Sequence, residues 1–282
     1  MSEIRKILFP IDFSKRSIAA APHVSGWASR FSTDVAALHV LDPENYFARP
    51  NPDDLGMREQ LATAYAQRVR DLDYFCSRYL SNSHRVHQLV SAGSATEIIA
   101  ATAESEKADI LMLPRDHQTL GSRLLHDSLT AKILNMCPTP VWTSEKLNTL
   151  PATPLRQIVC AVHVAQDLLL GAANKRLLDV AHTVAQGFGA AVTCLYVRES
   201  GPAEQIPAIA ERLKNIRSEM QDVAQIETGS GGIRQAILEV ANRKNADLIM
   251  LGRTRLGTPG LGLQLHILKV DHDAPCPVLS IL

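Results

Sequence analysis

Neither sign of charge is in excess: Lys+Arg and Asp+Glu each number 29 in 282 residues. A chain without net charge has no long-range pull toward nucleic acid or anionic lipid, so neither is an expected partner. No apolar run is long enough to span a bilayer. The opening MSEIRKILFPIDFS has only a short apolar run, broken by Asp12, and reads as a strand rather than a signal peptide. Cysteine is sparse. Cys76, Cys137, Cys160, Cys194 and Cys276 are odd in number, widely scattered and never arranged as CxxC. That excludes a disulfide framework and a zinc-ribbon pattern, and it fits reduced thiols in a cytoplasmic protein. Neither the G-x-S-x-G nucleophile turn nor the G-x4-G-K-[ST] phosphate loop occurs. What remains is a globular composition, 46% hydrophobic and 21% charged, sized for one large domain or two ordinary ones.

The chain repeats itself. IRKILFPIDFS (Ile4–Ser14) is echoed by LRQIVCAVHVA (Leu155–Ala165), and DVAALHVLDP (Asp34–Pro43) by AAVTCLYVRES (Ala190–Ser200). The run from His87 to Pro114, with ADILMLP, is echoed from Ala224 to Gly252, with ADLIMLG. MCPTPVWTS (Met136–Ser144) is echoed by APCPVLSIL (Ala274–Leu282). The order is kept at an offset of about 140–150 residues, far longer than a solenoid repeat. This predicts two related domains, 1–147 and 155–282, joined by a polar, proline-bearing linker at 148–154.

Each half alternates short apolar runs with stretches of helical spacing. Ile7–Ile11, Val35–Val40, Val86–Val90, Ile110–Leu113 and Pro140–Thr143 read as strands buried on both faces, as in a parallel sheet flanked by helices. Between Met57 and Leu80, residues Leu61, Ala64, Tyr65, Val69, Leu72, Phe75, Cys76 and Tyr79 fall largely on one helical face. Such alternation predicts a doubly wound α/β fold. Ligands of such sheets sit beyond the C-terminal strand ends, so the loops after Ile11, Val40 and Leu113 decide function.

KILFPIDFSKRS, ALHVLDP, VSAGSATEIIA, ADILMLP and CPTPVWTS, in order and then again with ADLIMLG and APCPVLSIL, resemble the universal stress protein (UspA) family over nearly the whole chain. The resemblance implies two tandem Rossmann-like, adenine-nucleotide-hydrolase-like domains, each a five-stranded parallel sheet of order 3-2-1-4-5 flanked by helices. It also implies a role in survival under stress without catalysis. Members commonly dimerise through their last strands. TPVWTS and CPVLSIL would then pair within one chain as an intramolecular pseudo-dimer, which also covers an apolar edge; a homodimer is the alternative.

Many members hold ATP with G-x2-G-x9-G-[ST] after the fourth strand and an Asp after the first. Glycines let backbone N–H groups approach the phosphates, and the final Gly-Ser opens a helix whose N-terminus favours anions. Here Pro114, His117 and Asp127 stand at the glycine positions, and only Ser128 matches. Proline removes a donor. A carboxylate about 4 Å from phosphate costs on the order of 4 kcal/mol at a dielectric near 20. Asp12 matches the adenosine-reading Asp, and Pro10, Ile11 and Val40 are of family type. In the second half Gly252 matches, Arg255 replaces the second glycine, Gln264, Leu265 or His266 stands at the Gly-Ser position, and His163 replaces the Asp. The loop Gly252–Gly262, with Arg253 and Arg255, offers an anion site of different geometry; the simpler account is a surface loop. The candidate nucleotide-binding set is therefore Pro10, Ile11, Asp12, Val40, Ser128, Gly252, Arg253 and Arg255.

Other polar clusters read as structure. His84 and His87 belong to a helix-to-strand surface, and Asp271 and His272, with His266, to a solvated helix end. His117 and His126 flank the altered loop, where a pH-sensitive contact is the alternative to simple loop residues. Cys137 and Cys276 read as buried small hydrophobes. GSGG (Gly229–Gly232) and GSAT (Gly93–Thr96) read as strand-to-helix turns. The insertion Asp42–Gly56 either covers the first site or presents a partner surface. The function expected is a non-catalytic stress-response module with degenerate nucleotide sites, acting through protein contacts. No cofactor and no metal are expected. The alternatives are a regulatory switch binding ATP, AMP or another anion, and a small-molecule hydrolase or transferase on the same fold.

Overall fold

The computed structural model describes residues 3–43, 55–81, 83–114, 128–144, 154–162, 168–198, 223–230, 232–253 and 269–282. They form two compact units, Ile4–Thr139 and Pro140–Leu282, the latter with Met1–Glu3.

The first unit runs β1 (Lys6–Pro10), α1 (Lys15–Phe31), β2 (Asp34–Leu41), α2 (Leu55–Tyr79), β3 (Arg85–Ala92), α3 (Ala95–Ser105), β4 (Ile110–Pro114) and α4 (Leu129–Met136). Its strands lie in the order β3-β2-β1-β4, all parallel. β1 and β4 are buried almost throughout, as apolar strands between two helical layers must be. α1 packs one stripe on them, burying Ala20, Ala21, His23, Val24, Trp27 and Ala28. β3 departs from the expectation of a strand buried on both faces. It forms as anticipated, but Arg85, His87 and Gln88 are exposed, and Val86, Leu89 and Val90 are only half-buried. Among the described residues it stands at the edge of the sheet, paired with β2 alone. α2 likewise buries only Leu72, Phe75 and Cys76; Tyr65 and Val69 stay 44% and 41% exposed despite their place on the apolar stripe.

The second unit contains β5 (Val141–Ser144), β6 (Gln157–Val162), α5 (Leu168–Phe188), β7 (Ala191–Arg198), β8 (Val223–Ser230), α6 (Ile233–Arg243), β9 (Leu248–Gly252) and β10 (Val278–Ile281). Its order is β5-β10-β9-β6-β7-β8. From β8 back to β10 this is the 3-2-1-4-5 winding of the second repeat. β5, from the first repeat, runs antiparallel to β10, with Leu279 opposite Trp142. Buried Ser280 and Thr143 hydroxyls donate across the pair to Val141 O and Val278 O, at 3.2 and 3.4 Å. Compactness therefore divides the chain at Thr139/Pro140, because the strand after α4 finds its partner in β10.

The two repeats share a fastening that explains ADILML and ADLIML. Asp109 Oδ2 accepts the Arg5 and Lys6 N–H groups at 2.7 and 3.0 Å. Asp247 Oδ2 accepts those of Arg156 and Gln157 at 2.7 and 2.9 Å. Each carboxylate thus satisfies two backbone donors at the entry of the central strand of its repeat. The helices before them also end alike. Lys107 and Asn245 adopt φ values of 52° and 49°, the left-handed turn that terminates a helix.

Candidate functional site

In the first unit the strand order reverses between β1 and β4, so a ligand site is expected beyond their C-terminal ends. β1–β2 pairing brings Pro10, Ile11, Asp12 and Val40 to this edge. Pro10 is in register with Leu38, and the Ile11 N–H donates to Leu38 O at 2.7 Å. Pro10 and Ile11 are buried and Val40 half-buried.

Asp12 is tied into the start of α1. Its Oδ1 accepts the Ser14 N–H at 2.9 Å and the Ser17 hydroxyl at 2.6 Å, while Ser17 Oγ accepts the Asp12 N–H at 3.2 Å. Ser14 caps the helix by accepting the Ser17 N–H at 3.4 Å. Burial pushes the Asp12 pKa up, but the hydrogen bonds from Ser14 and Ser17, with Arg16 nearby, outweigh it and hold the carboxyl below its ordinary value. Its side chain is 60% exposed, so water screens much of this effect.

Next to Asp12 stands a cluster of tilted and edge-on rings that sequence reasoning missed. Phe13 sits at φ 60°, a costly region for a large side chain. Its ring lies 4.5 Å from His39 and 6.2 Å from Phe75, with the Arg68 guanidinium 5.7 Å above it. Arg68 is also paired with Asp71 at 2.7 Å. The Nδ1–H of buried His39 donates to Ile11 O at 2.7 Å. Burial lowers the His39 pKa, the Ile11 bond opposes this, and Arg68 adds to the lowering. The spacing of Ser14 and Ser17 is a legible capping signal. Nothing local marks His39 or Arg68, which meet Phe13 only through tertiary packing.

Ser128 serves as the N-cap of α4, its Oγ accepting the Ala131 N–H at 3.2 Å. Pro114 ends β4. His117, His126 and Asp127 lie outside the described residues.

In the second unit Gly252 ends β9 opposite Ile281. A Cβ there would meet only the Leu177 side chain, at 4.0 Å, so packing does not demand glycine. Arg253 is not a surface-loop cation. It is 1% exposed, and its N–H donates to Ile281 O at 2.6 Å. Asp271 is likewise buried at 3%, which corrects its reading as part of a solvated helix end; His272 is half-buried. Arg255, His163, His266 and the positions aligned with Gly-Ser lie outside the described residues.

His84 and His87 are exposed, and His87 Nδ1 lies 3.9 Å from the Glu106 carboxylate, a neighbour distant in sequence. No group of three or more His, Cys, Asp or Glu side chains able to hold a metal occurs among the described residues. Cys137 and Cys276 are buried, as expected. Ser94 and Gly232 are the N-caps of α3 and α6, as the two turn motifs anticipated. No helix among the described residues is long and apolar enough to cross a membrane.

The model of the universal stress protein family matches residues 3–144 and again 161–281. The chain belongs to the universal stress protein family. It is a tandem member. A universal stress protein of Thermus aquaticus is 32% identical over 123 residues, covering 38% of this chain and 88% of that one. The crystal structure of a universal stress protein from Archaeoglobus fulgidus superposes with a TM-score of 0.75 at 15% identity, covering 99% of this chain and 96% of the other. The cytoplasmic domain of a prokaryotic cation chloride cotransporter gives a TM-score of 0.57 at 11% identity, over 98% and 94% of the two chains. The fold is thus shared by differently named proteins, and function has to be argued from the sites.

Proposed function

We propose that this tandem universal stress protein is a non-catalytic, cytoplasmic stress-response module that acts through protein contacts, its nucleotide sites having degenerated. The observation that carries this reading is that the two remnants of the first site are already in use. Asp12 Oδ1 is held by Ser14 and Ser17, and Ser128 Oγ caps α4. Pro114 and Asp127 oppose a phosphate chain in the ways given above. In the second half Arg253 is enclosed rather than presented. The β5–β10 pairing supports the further proposal that the repeats form an intramolecular pseudo-dimer.

One observation favours a second reading, an anion-binding switch in the second half. Gly252 stands where neither φ nor packing demands glycine, as at a position kept open for a ligand's approach; Arg255 would supply charge there.

Mass spectrometry of small molecules released from the purified protein, together with thermal unfolding in Mg-ATP, tests both. The leading reading expects no released nucleotide and an unchanged Tm. A ligand at 100 times its Kd stabilises by about 2.7 kcal/mol, and a Tm shift of that size overturns it. A shift abolished by Arg255→Ala but not by Asp12→Ala places the ligand in the second half.

A further inference from the structure

β6 lies between β9 and β7, and three sulfur side chains fall at one level across them: Met250 opposite Cys160, and Cys160 opposite Cys194. All three are fully buried. Residues in register on neighbouring parallel strands point to the same face, with Cα atoms about 4.8 Å apart. Disulfides span Cα separations of about 4.4–6.8 Å. The two thiols therefore need no strand shift to reach one another.

We propose that Cys160 and Cys194 form a peroxide-responsive dithiol that hydrogen peroxide converts into a cross-strand disulfide. The Cys194 sulfur attacks one peroxide oxygen and the O–O bond breaks, giving a sulfenic acid and one water. The Cys160 sulfur attacks that sulfur, the S–S bond forms, the S–O bond breaks and a second water leaves. Both thiol protons end in the two waters, the two sulfurs are oxidised, and the peroxide takes the two electrons. The hydrogen bond between the thiols sets the order of attack. It lowers the Cys194 pKa against the upward push of burial, and it raises that of Cys160, with burial adding to the rise. Cys194 is thus the better nucleophile and Cys160 the resolving thiol. The thiols are closed even to a water molecule, so an oxidant meets them only through local opening of the sheet. Small, uncharged hydrogen peroxide needs a far smaller opening than bulky, charged glutathione disulfide.

The test uses the full, reduced chain, treated in its folded state with hydrogen peroxide or with glutathione disulfide. It is then unfolded in an alkylating reagent and mapped by mass spectrometry. Peroxide is expected to remove two of the five thiols as one cross-linked peptide pair holding Cys160 and Cys194, restored by dithiothreitol. Glutathione disulfide is expected to leave all five alkylated. A parallel sample oxidised in urea defines the scrambled pattern of an opened chain. Cross-links spread over Cys76, Cys137 and Cys276, sulfinic acid on unpaired cysteines, or Met250 sulfoxide with both thiols intact each overturn the proposal. In Cys160→Ala, Cys194 loses both the hydrogen bond that opposes burial and its resolving thiol. Peroxide is then expected to leave all four remaining thiols open to alkylation; loss of the Cys194 thiol in that variant at the wild-type rate overturns the assigned order of attack. Wild-type mapping decides the matter if that variant does not fold.

Discussion

Acid should weaken the first unit through one histidine. His23 lies on the buried stripe of α1, 4% exposed, and burial lowers its pKa from 6.5 to about 4. The unfolded chain takes up a proton near the ordinary value, whereas the folded chain resists it. Between these pH values the unfolded state holds more protons, so stability is complete above the unfolded pKa and falls as pH falls toward the folded one. At about 1.4 kcal/mol per unit for one proton, the window is worth about 3 kcal/mol. The same direction holds for His39. Asp12, Glu106 and Glu227, whose pKa values are also lowered, act at more acidic pH. Those contributions are common to the wild type and His23→Gln, so the difference between the two chains isolates His23. Trp27, one turn along α1 and fully buried, reports this unit by fluorescence once Trp142 is replaced by Phe. Urea unfolding at intervals from pH 7 to pH 4 should show the wild type losing about 3 kcal/mol more than His23→Gln. Equal losses in the two chains would refute the reasoning.

The carboxylate fastenings give matched tests. Asp109→Ala and Asp247→Ala each leave two backbone donors without their acceptor and should cost about 1–3 kcal/mol in denaturant unfolding, whereas Asp→Asn keeps an acceptor and should cost less. Ser32 ends α1 at φ 53°, where the second repeat has Gly189 at φ 67°. Ser32→Gly should therefore raise stability by about 1 kcal/mol, read as a higher urea midpoint. Ser17→Ala removes one donor to Asp12 and should raise the Asp12 pKa, visible as an upward shift of its carboxyl titration by NMR.

What could be read from the sequence is what period and repetition encode. The runs KILFP and ILMLP become β1 and β4, and the repeated Ala-Asp before each fourth strand has a common structural duty. Burial of individual side chains was less legible, since the same pattern serves different neighbours. Val86 and Val90 resemble core residues until the strand order puts β3 at the edge. Tyr65 and Val69 fit the α2 stripe, yet only the second half of that helix meets the core. Arg253 and Asp271 look like surface charges, because a single sequence does not reveal which chain segments enclose them. The candidate site divides the same way. The Asp12–Ser14–Ser17 turn is local and readable, while Phe13, His39 and Arg68 come from three elements and meet only in the fold.

The exchange of β5 has a consequence for how the chain is made. The hydroxyl of Thr143 waits for a carbonyl 135 residues further along. At the roughly 5–20 residues per second of synthesis, Val141–Ser144 is exposed to solvent and chaperones for about 7–27 s before β10 exists. During that interval a nascent chain carries an apolar strand with an open edge, and two ribosomes on one message bring two such edges close together. Newly made chains, rather than mature ones, are where strand exchange between molecules would arise.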